Sequence, residues 1–210
     1  MSSQFRSGLI AAALPLLMLV TISPAEATVW VGSVTSPTTP TIEVEVRVDD
    51  VASTVEMTFR GPSNRWFAFG FGSLSMAGYT IITEQTGGLN FYERDMVSVG
   101  NPGSIQAQQD LTLVSDDSAG GITEFTVTRP LITGDANDFV FPTSAQVVEV
   151  IWARGSGDGV TTLAYHGNTN RGKNDDMSIE EDVPTSNPEI ESRPWGYTKM
   201  LFRPEAEAGK

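Results

Sequence analysis

"TIEVEVRVDDVASTVEMTFR", residues 41–60, decides the fold. Ile42, Val44, Val46 and Val48 alternate with Glu43, Glu45, Arg47 and Asp49, which is the period of a strand with one dry face and one wet face. A turn around residues 49–52 follows. Val55, Met57 and Phe59 then resume the alternation, so the stretch predicts a hairpin that packs on one side only.

Outward from this hairpin, β-rich runs recur at residues 65–72, 79–84, 95–99, 111–115, 122–128, 147–153 and 198–202, with Gly, Pro, Asn and Asp in the gaps. After residue 27 no run keeps the three-and-four apolar spacing of a helix, and no internal repeat is visible. Short strands at close intervals predict an all-β fold, an immunoglobulin-like antiparallel β-sandwich. Residues 174–191, "NDDMSIEEDVPTSNPEIE", carry acidic and no basic side chains, and read as a solvated surface loop before a last strand.

The first residues read differently. A single cation, Arg6, precedes the apolar run at residues 9–22, and Ala25, Glu26 and Ala27 form a small-x-small triplet. This is the pattern of a secretory signal peptide over residues 1–27, with the rest, 28–210, as one domain. An uncleaved anchor is the alternative, and Pro15 and the short run oppose it. Nothing after Ala27 approaches a membrane span, so the expected product is secreted or periplasmic. Cysteine is absent, which excludes thiolate catalysis, thiolate zinc sites and covalent c-type haem. The formal net charge is −13. Loss of Arg6 and Glu26 together leaves it unchanged, and it disfavours nucleic acid as a partner. The acidic surface either serves solubility or steers a cationic partner.

Chemistry-bearing residues are few. His166 is the only histidine and lies in "TTLAYHGNTNRGKND", residues 161–175. No Gly-x-Ser-x-Gly elbow accompanies it, so hydrolysis has little support. Asp175, Asp176 and the acidic run at 180–182 lack the ligand spacing of a calcium loop. In "RWFAFGFGSLSMAGY", residues 65–79, alternation puts Trp66, Ala68, Gly70 and Gly72 on one face and Phe67, Phe69 and Phe71 on the other. Small residues on one face let a flat group approach the backbone. Met76 follows in a loop with no obvious core to fill. A thioether and an imidazole on opposing loops are what six-coordinate haem iron needs, although spacing alone leaves both as ordinary loop residues.

Four segments in order, "WFAFGFGSLSMAGY" from Trp66, "ERDMVSVGNPGSIQAQQDLTL" from Glu93, "TEFTVTRPLITGDANDF" from Thr123 and "VIWARGSGDGVTTLAYHGNTNRG" from Val150, resemble the DOMON family, which includes the haem b cytochrome domain of cellobiose dehydrogenase. The resemblance implies a sandwich that grips haem or a sugar-like ligand at one end. Its haem-binding members use a Met of the first segment and a His of the last, here Met76 and His166. It further implies a non-catalytic module with non-covalent haem b that passes single electrons to or from a redox partner protein. The alternative is a haem-free module that binds carbohydrate by stacking on Trp66, Tyr79 and Tyr165. The disulfide of extracellular relatives is missing. Trp66 and Tyr165 either line the pocket or belong to the core. Arg171 and Lys173 either hold haem propionates or offset Asp175 and Asp176. Arg129 and Asp135 are expected to brace a turn.

Overall fold

The computed structural model describes residues 28–183. The predicted leader at 1–27 and the predicted strand at 198–202 lie outside them. Regular structure among the described residues is all strand: β1 (Val29–Thr35), β2 (Glu43–Asp49), β3 (Thr54–Pro62), β4 (Phe67–Phe71), β5 (Gly78–Glu84), β6 (Asn90–Met96), β7 (Ser104–Ile105), β8 (Thr112–Asp116), β9 (Ile122–Pro130), β10 (Gln146–Arg154) and β11 (Arg171–Glu181). Among these residues no helix is long and apolar enough to cross a membrane.

The opening hairpin forms as its alternation dictates. β2 pairs β3 antiparallel from Glu43 opposite Arg60 to Asp49 opposite Thr54, with Val44, Val46, Val48, Val55, Met57 and Phe59 buried. The turn is held by the Asp49 carboxylate, which accepts the Val51 and Ala52 amides at 3.0 and 2.7 Å. Each such valine or phenylalanine contributes roughly 1.5–3 kcal/mol by leaving water.

The strand order is β7-β6-β5-β4-β10-β11-β1-β2-β3-β9-β8, antiparallel at every pairing. The sheet doubles over at β11, which pairs β10 from Arg171 to Ile179 and β1 through Glu180 and Glu181. The two halves then face each other across one core. Phe59 of β3 lies 6.1 Å from Phe69 of β4, and Phe91 of β6 stacks on Phe125 of β9 at 5.3 Å. This is the predicted antiparallel β-sandwich.

Two expectations are corrected. Residues 174–181 are not loop but the second part of β11. Val148 pairs Met177 and Val150 pairs Asn174, so two steps along β10 oppose three along β11. This bulge flips the alternation of β11: Arg171 and Lys173 border a pocket outside the sandwich, whereas Met177 and Ile179 enter the core. The run expected at 95–99 is instead β6, which starts at Asn90. Its core-facing position Glu93 is a carboxyl, which hides the hydrophobic period.

Glu93 is fully buried and accepts the Tyr79 hydroxyl at 2.7 Å and the Asp110 amide at 2.5 Å. Nearby Arg129 pairs Asp138 at 3.4 Å and donates to the Phe139 carbonyl. Its guanidinium lies 5.0 Å from the Tyr79 ring centre and 5.5 Å from that of Phe141. Burial pushes the Glu93, Asp138 and Tyr79 groups above their ordinary values, and Arg129 opposes the shift in all three. Arg129 therefore offsets a buried acidic cluster and, through Asp138 and the Phe139 carbonyl, holds the loop after β9. Asp135 does hold a turn, accepting the Asn137 amide at 2.9 Å.

Candidate functional site

β4 is buried on both faces. Phe67, Phe69 and Phe71 enter the main core, as the alternation predicts, while Trp66 and Ala68 join Ile82 in a second apolar cluster on the far side. Beyond them a pocket of about 950 Å³ opens on the outer face of the half-sheet formed by β6, β5, β4, β10 and β11. That is near the top of the range for small-molecule sites, roughly 300–1,000 Å³.

Its floor follows from the strand register. One cross-strand row runs Arg94, Thr80, Gly70, Ile151, Lys173. The next runs Ile82, Ala68, Ala153, Arg171. All nine residues border the pocket. Gly70 keeps the floor low, because a Cβ there would come within 2.8 Å of Ile151 Cγ1 and 2.9 Å of Thr80 Oγ1. Gly72 does not belong to the floor as alternation suggested. It ends β4 with φ +79°, and a Cβ would strike the Phe139 ring at 2.6 Å.

Met76 and His166 border this same pocket. Met76 comes from the loop after β4, where Ser75 accepts the Ala77 amide at 2.7 Å through its carbonyl. His166 comes from the loop between β10 and β11. Because β10 runs antiparallel to β4, with Arg154 opposite Phe67, the two loops rise from opposite ends of the β4 strand. The pocket therefore lies on a face of the sandwich, framed by loops from both ends, and not at one end as the family resemblance implied.

The histidine loop is pinned at several points. Trp66 exchanges backbone bonds with it at 2.9 Å, donating to Val160 and accepting from Gly155, and the Leu163 amide donates to the Glu84 carboxylate at 2.7 Å. Buried Arg154 donates to the Asn170 side chain at 3.2 Å and to the carbonyls of Thr38 and Thr39 at 2.8 and 3.1 Å. His166 is 7% exposed, and its Nδ1 lies 2.6 Å from the Gly167 carbonyl. A carbonyl can only accept, so Nδ1 is the donor in this contact and Nε2 is the ring nitrogen left for a metal.

The other expected residues divide. Trp66 borders the pocket but is only 2% exposed. Tyr165 is 71% exposed at the mouth, its ring centre 5.3 Å from that of His166. Arg171 and Lys173 border the pocket from β11. The side chains of Asp175 and Asp176, their alternative partners, lie outside what is described. Tyr79 is on the core face, bound to Glu93, and cannot stack on a ligand. Sequence reasoning missed Thr80, Arg94 and Met96, which reach the pocket from the β5–β6 hairpin. Their signal was the alternation of Tyr92, Arg94 and Met96 with Phe91 and Glu93, obscured by the inward carboxylate.

Two pocket residues, Trp66 and Thr80, each hold a buried polar atom with no protein partner among the described residues. Groups of this kind call for a bound molecule or water. No cluster of three or more His, Asp or Glu side chains able to hold a metal ion occurs among the described residues. The donors in the pocket are thus a borderline nitrogen and soft sulfurs within apolar walls, a set that suits iron already held by another ligand.

Fold and pocket define a β-sandwich module with one large apolar pocket on an outer face. Residues 38–155, more than half the chain, match the DOMON domain, and the chain belongs to that family. Among solved structures it is similar to the cytochrome b domain of pyranose dehydrogenase from Coprinopsis cinerea, at 16% identity over 67% of this chain and 76% of that one, TM-score 0.46. It is also similar to the cytochrome domain of Myriococcum thermophilum cellobiose dehydrogenase, at 13% identity over 69% and 81%, TM-score 0.41. No curated protein sequence matches the chain.

Proposed function

We propose that this DOMON domain binds one non-covalent haem b through Met76 and His166 and relays single electrons in an exported setting. The observation that carries the reading is the shared pocket of these two side chains, with Nδ1 of His166 tied to Gly167 so that Nε2 is the free nitrogen. Met76 and His166 would hold such a haem, which would supply a one-electron iron couple suited to electron relay.

The chain's own residues bind and shield. Ala68, Gly70, Ile82, Ile151 and Ala153 supply a smooth dry floor, and Trp66 and Leu163 wall it. Tyr165 shelters His166 at the mouth. Ligation by a thioether together with an imidazole would favour the reduced iron and a raised potential. The partner is a one-electron redox protein. The net charge of −13 steers a cationic one, and added salt slows that association.

The test is colour. The full chain expressed with haem supply is expected to show a reducible low-spin b-type spectrum, and His166→Ala and Met76→Ala each to convert it to high spin or lose the haem. A colourless protein that takes up no added haemin yet binds oligosaccharide overturns this reading in favour of a carbohydrate module.

A further inference from the structure

The chain holds 26 acidic and 13 basic residues, yet every charged residue bordering the pocket is basic: Arg94, Arg171 and Lys173. The cations stand at the two flanks of the floor. In the row Arg94, Thr80, Gly70, Ile151, Lys173 the ends are charged and the centre is small or apolar. β6 and β11 are four strand spacings apart, on the order of 19 Å across.

The flanks are not equivalent. Arg94 is already engaged, its Nε donating to the Pro102 carbonyl at 2.6 Å and Nη2 to Gly103 at 2.9 Å. Arg171 and Lys173 are exposed and enter no salt bridge among the described residues. They lie two residues apart on one face of β11, about 7 Å along the strand. The bulge beyond Lys173 keeps this pair outside while the rest of β11 turns its apolar residues inward. Two exposed cations at that spacing, beside a dry floor, suit a flat apolar ligand with two acid groups on one edge.

We propose that the pocket selects its ligand by charge, and that Arg171 and Lys173 receive the acid groups of a planar dicarboxylate while Arg94 is structural. The inference rests on the haem reading and orients that group: the propionate edge faces β11. A neutral sugar would gain nothing from these two cations.

The experiment titrates the full chain, expressed without haem, with haemin and with haemin dimethyl ester in the same solvent, following Soret absorbance. The expected result is tighter binding of the free acid by roughly five- to tenfold, the effect of two solvent-exposed ion pairs. Arg171→Gln with Lys173→Gln is expected to bring the two ligands within about twofold, and Arg94→Gln to leave the preference intact. Equal affinities in the unaltered protein, or a preference that survives the double substitution, overturn the inference while the haem reading stands. Failure of both porphyrins to bind overturns the haem reading and the inference with it. Unfolding temperatures of the variants, expected within a few degrees of the parent at these exposed sites, separate lost recognition from lost fold.

Discussion

Replacing Arg129 by Met tests the buried acidic cluster. Met keeps the length of the stem and removes the only cation among Glu93, Asp138 and Tyr79. The side chain of Arg129 is fully buried and that of Asp138 is 2% exposed, so water does not screen the pair. Breaking a buried pair while leaving the other charge in place costs about 3–5 kcal/mol. At roughly 2–4 °C per kcal/mol for a chain of this size, the melting temperature should fall by about 6–20 °C at neutral pH. The sign with pH follows from the raised carboxyls. The folded state holds their protons more tightly than the unfolded chain, so their stabilisation is complete below the unfolded values, about 4.3 for Glu and 3.9 for Asp, and is lost as pH rises through the folded ones. Arg129 limits that loss, because its charge pulls both groups down. Thermal unfolding followed by far-ultraviolet dichroism at pH 5 and pH 8 should therefore show the gap between parent and variant widening at the higher pH. Adding Glu93→Gln should recover part of the pH 8 loss. A gap below about 1 kcal/mol, or one equal at both pH values, would show that the guanidinium does not compensate these carboxyls.

Other outcomes are as specific. Phe59→Ala removes a ring stacked 5.2 Å from Phe125 and 6.1 Å from Phe69, and should cost about 3–5 kcal/mol in urea unfolding, since it opens a hole between the two halves. Gly70→Val should lower stability by about 1–3 kcal/mol and weaken haemin uptake, because the added carbons press on Ile151 and Thr80 in the pocket floor. Arg154→Met frees the Asn170 end of the histidine loop from residues 38–40. Faster proteolytic nicking within residues 155–170 is the expected readout, and an unchanged cleavage pattern would count against that tether.

Where a strand has one wet face, its sequence announces it: β2 and β3 follow the alternation of residues 41–60 position by position. The alternation breaks where a charge points inward or a bulge shifts the period. Glu93 stands where the pattern requires an apolar residue, and the register of β6 was misplaced because of it. In β11 the extra residue moves the odd positions from the outer to the core face between Lys173 and Met177. No single period fits the whole strand, and its acidic run reads as loop. The short alternation Met177, Ser178, Ile179, Glu180 was the available clue. Met76 and His166 were visible as isolated residues in loops. Their common pocket was not, because it depends on β4 and β10 running antiparallel so that both loops overlook one stretch of sheet.

The contrast between the two halves of the sandwich says why the site is where it is. The outer face of β2 and β3 carries Glu43, Glu45, Arg47, Glu56 and Arg60, as a solvated face should. From Trp66 to Thr83 the chain has no charged residue at all, and β4 and most of β5 are buried on both sides. A strand in a two-layer sandwich has only one core to face. Dry residues on its other side imply a second cover, supplied here in part by the loops bearing Met76 and His166. Those loops leave about 950 Å³ between them and the floor. Water could fill the space, but an apolar floor of Ala68, Gly70, Ile82 and Ile151 makes poor contact with it, and each 100 Å² of such surface covered by a ligand is worth roughly 2.5 kcal/mol. The uncharged stretch therefore suits an occupant that is mostly apolar and flat enough to lie along a glycine, a requirement set by the sheet before Met76 or His166 is considered.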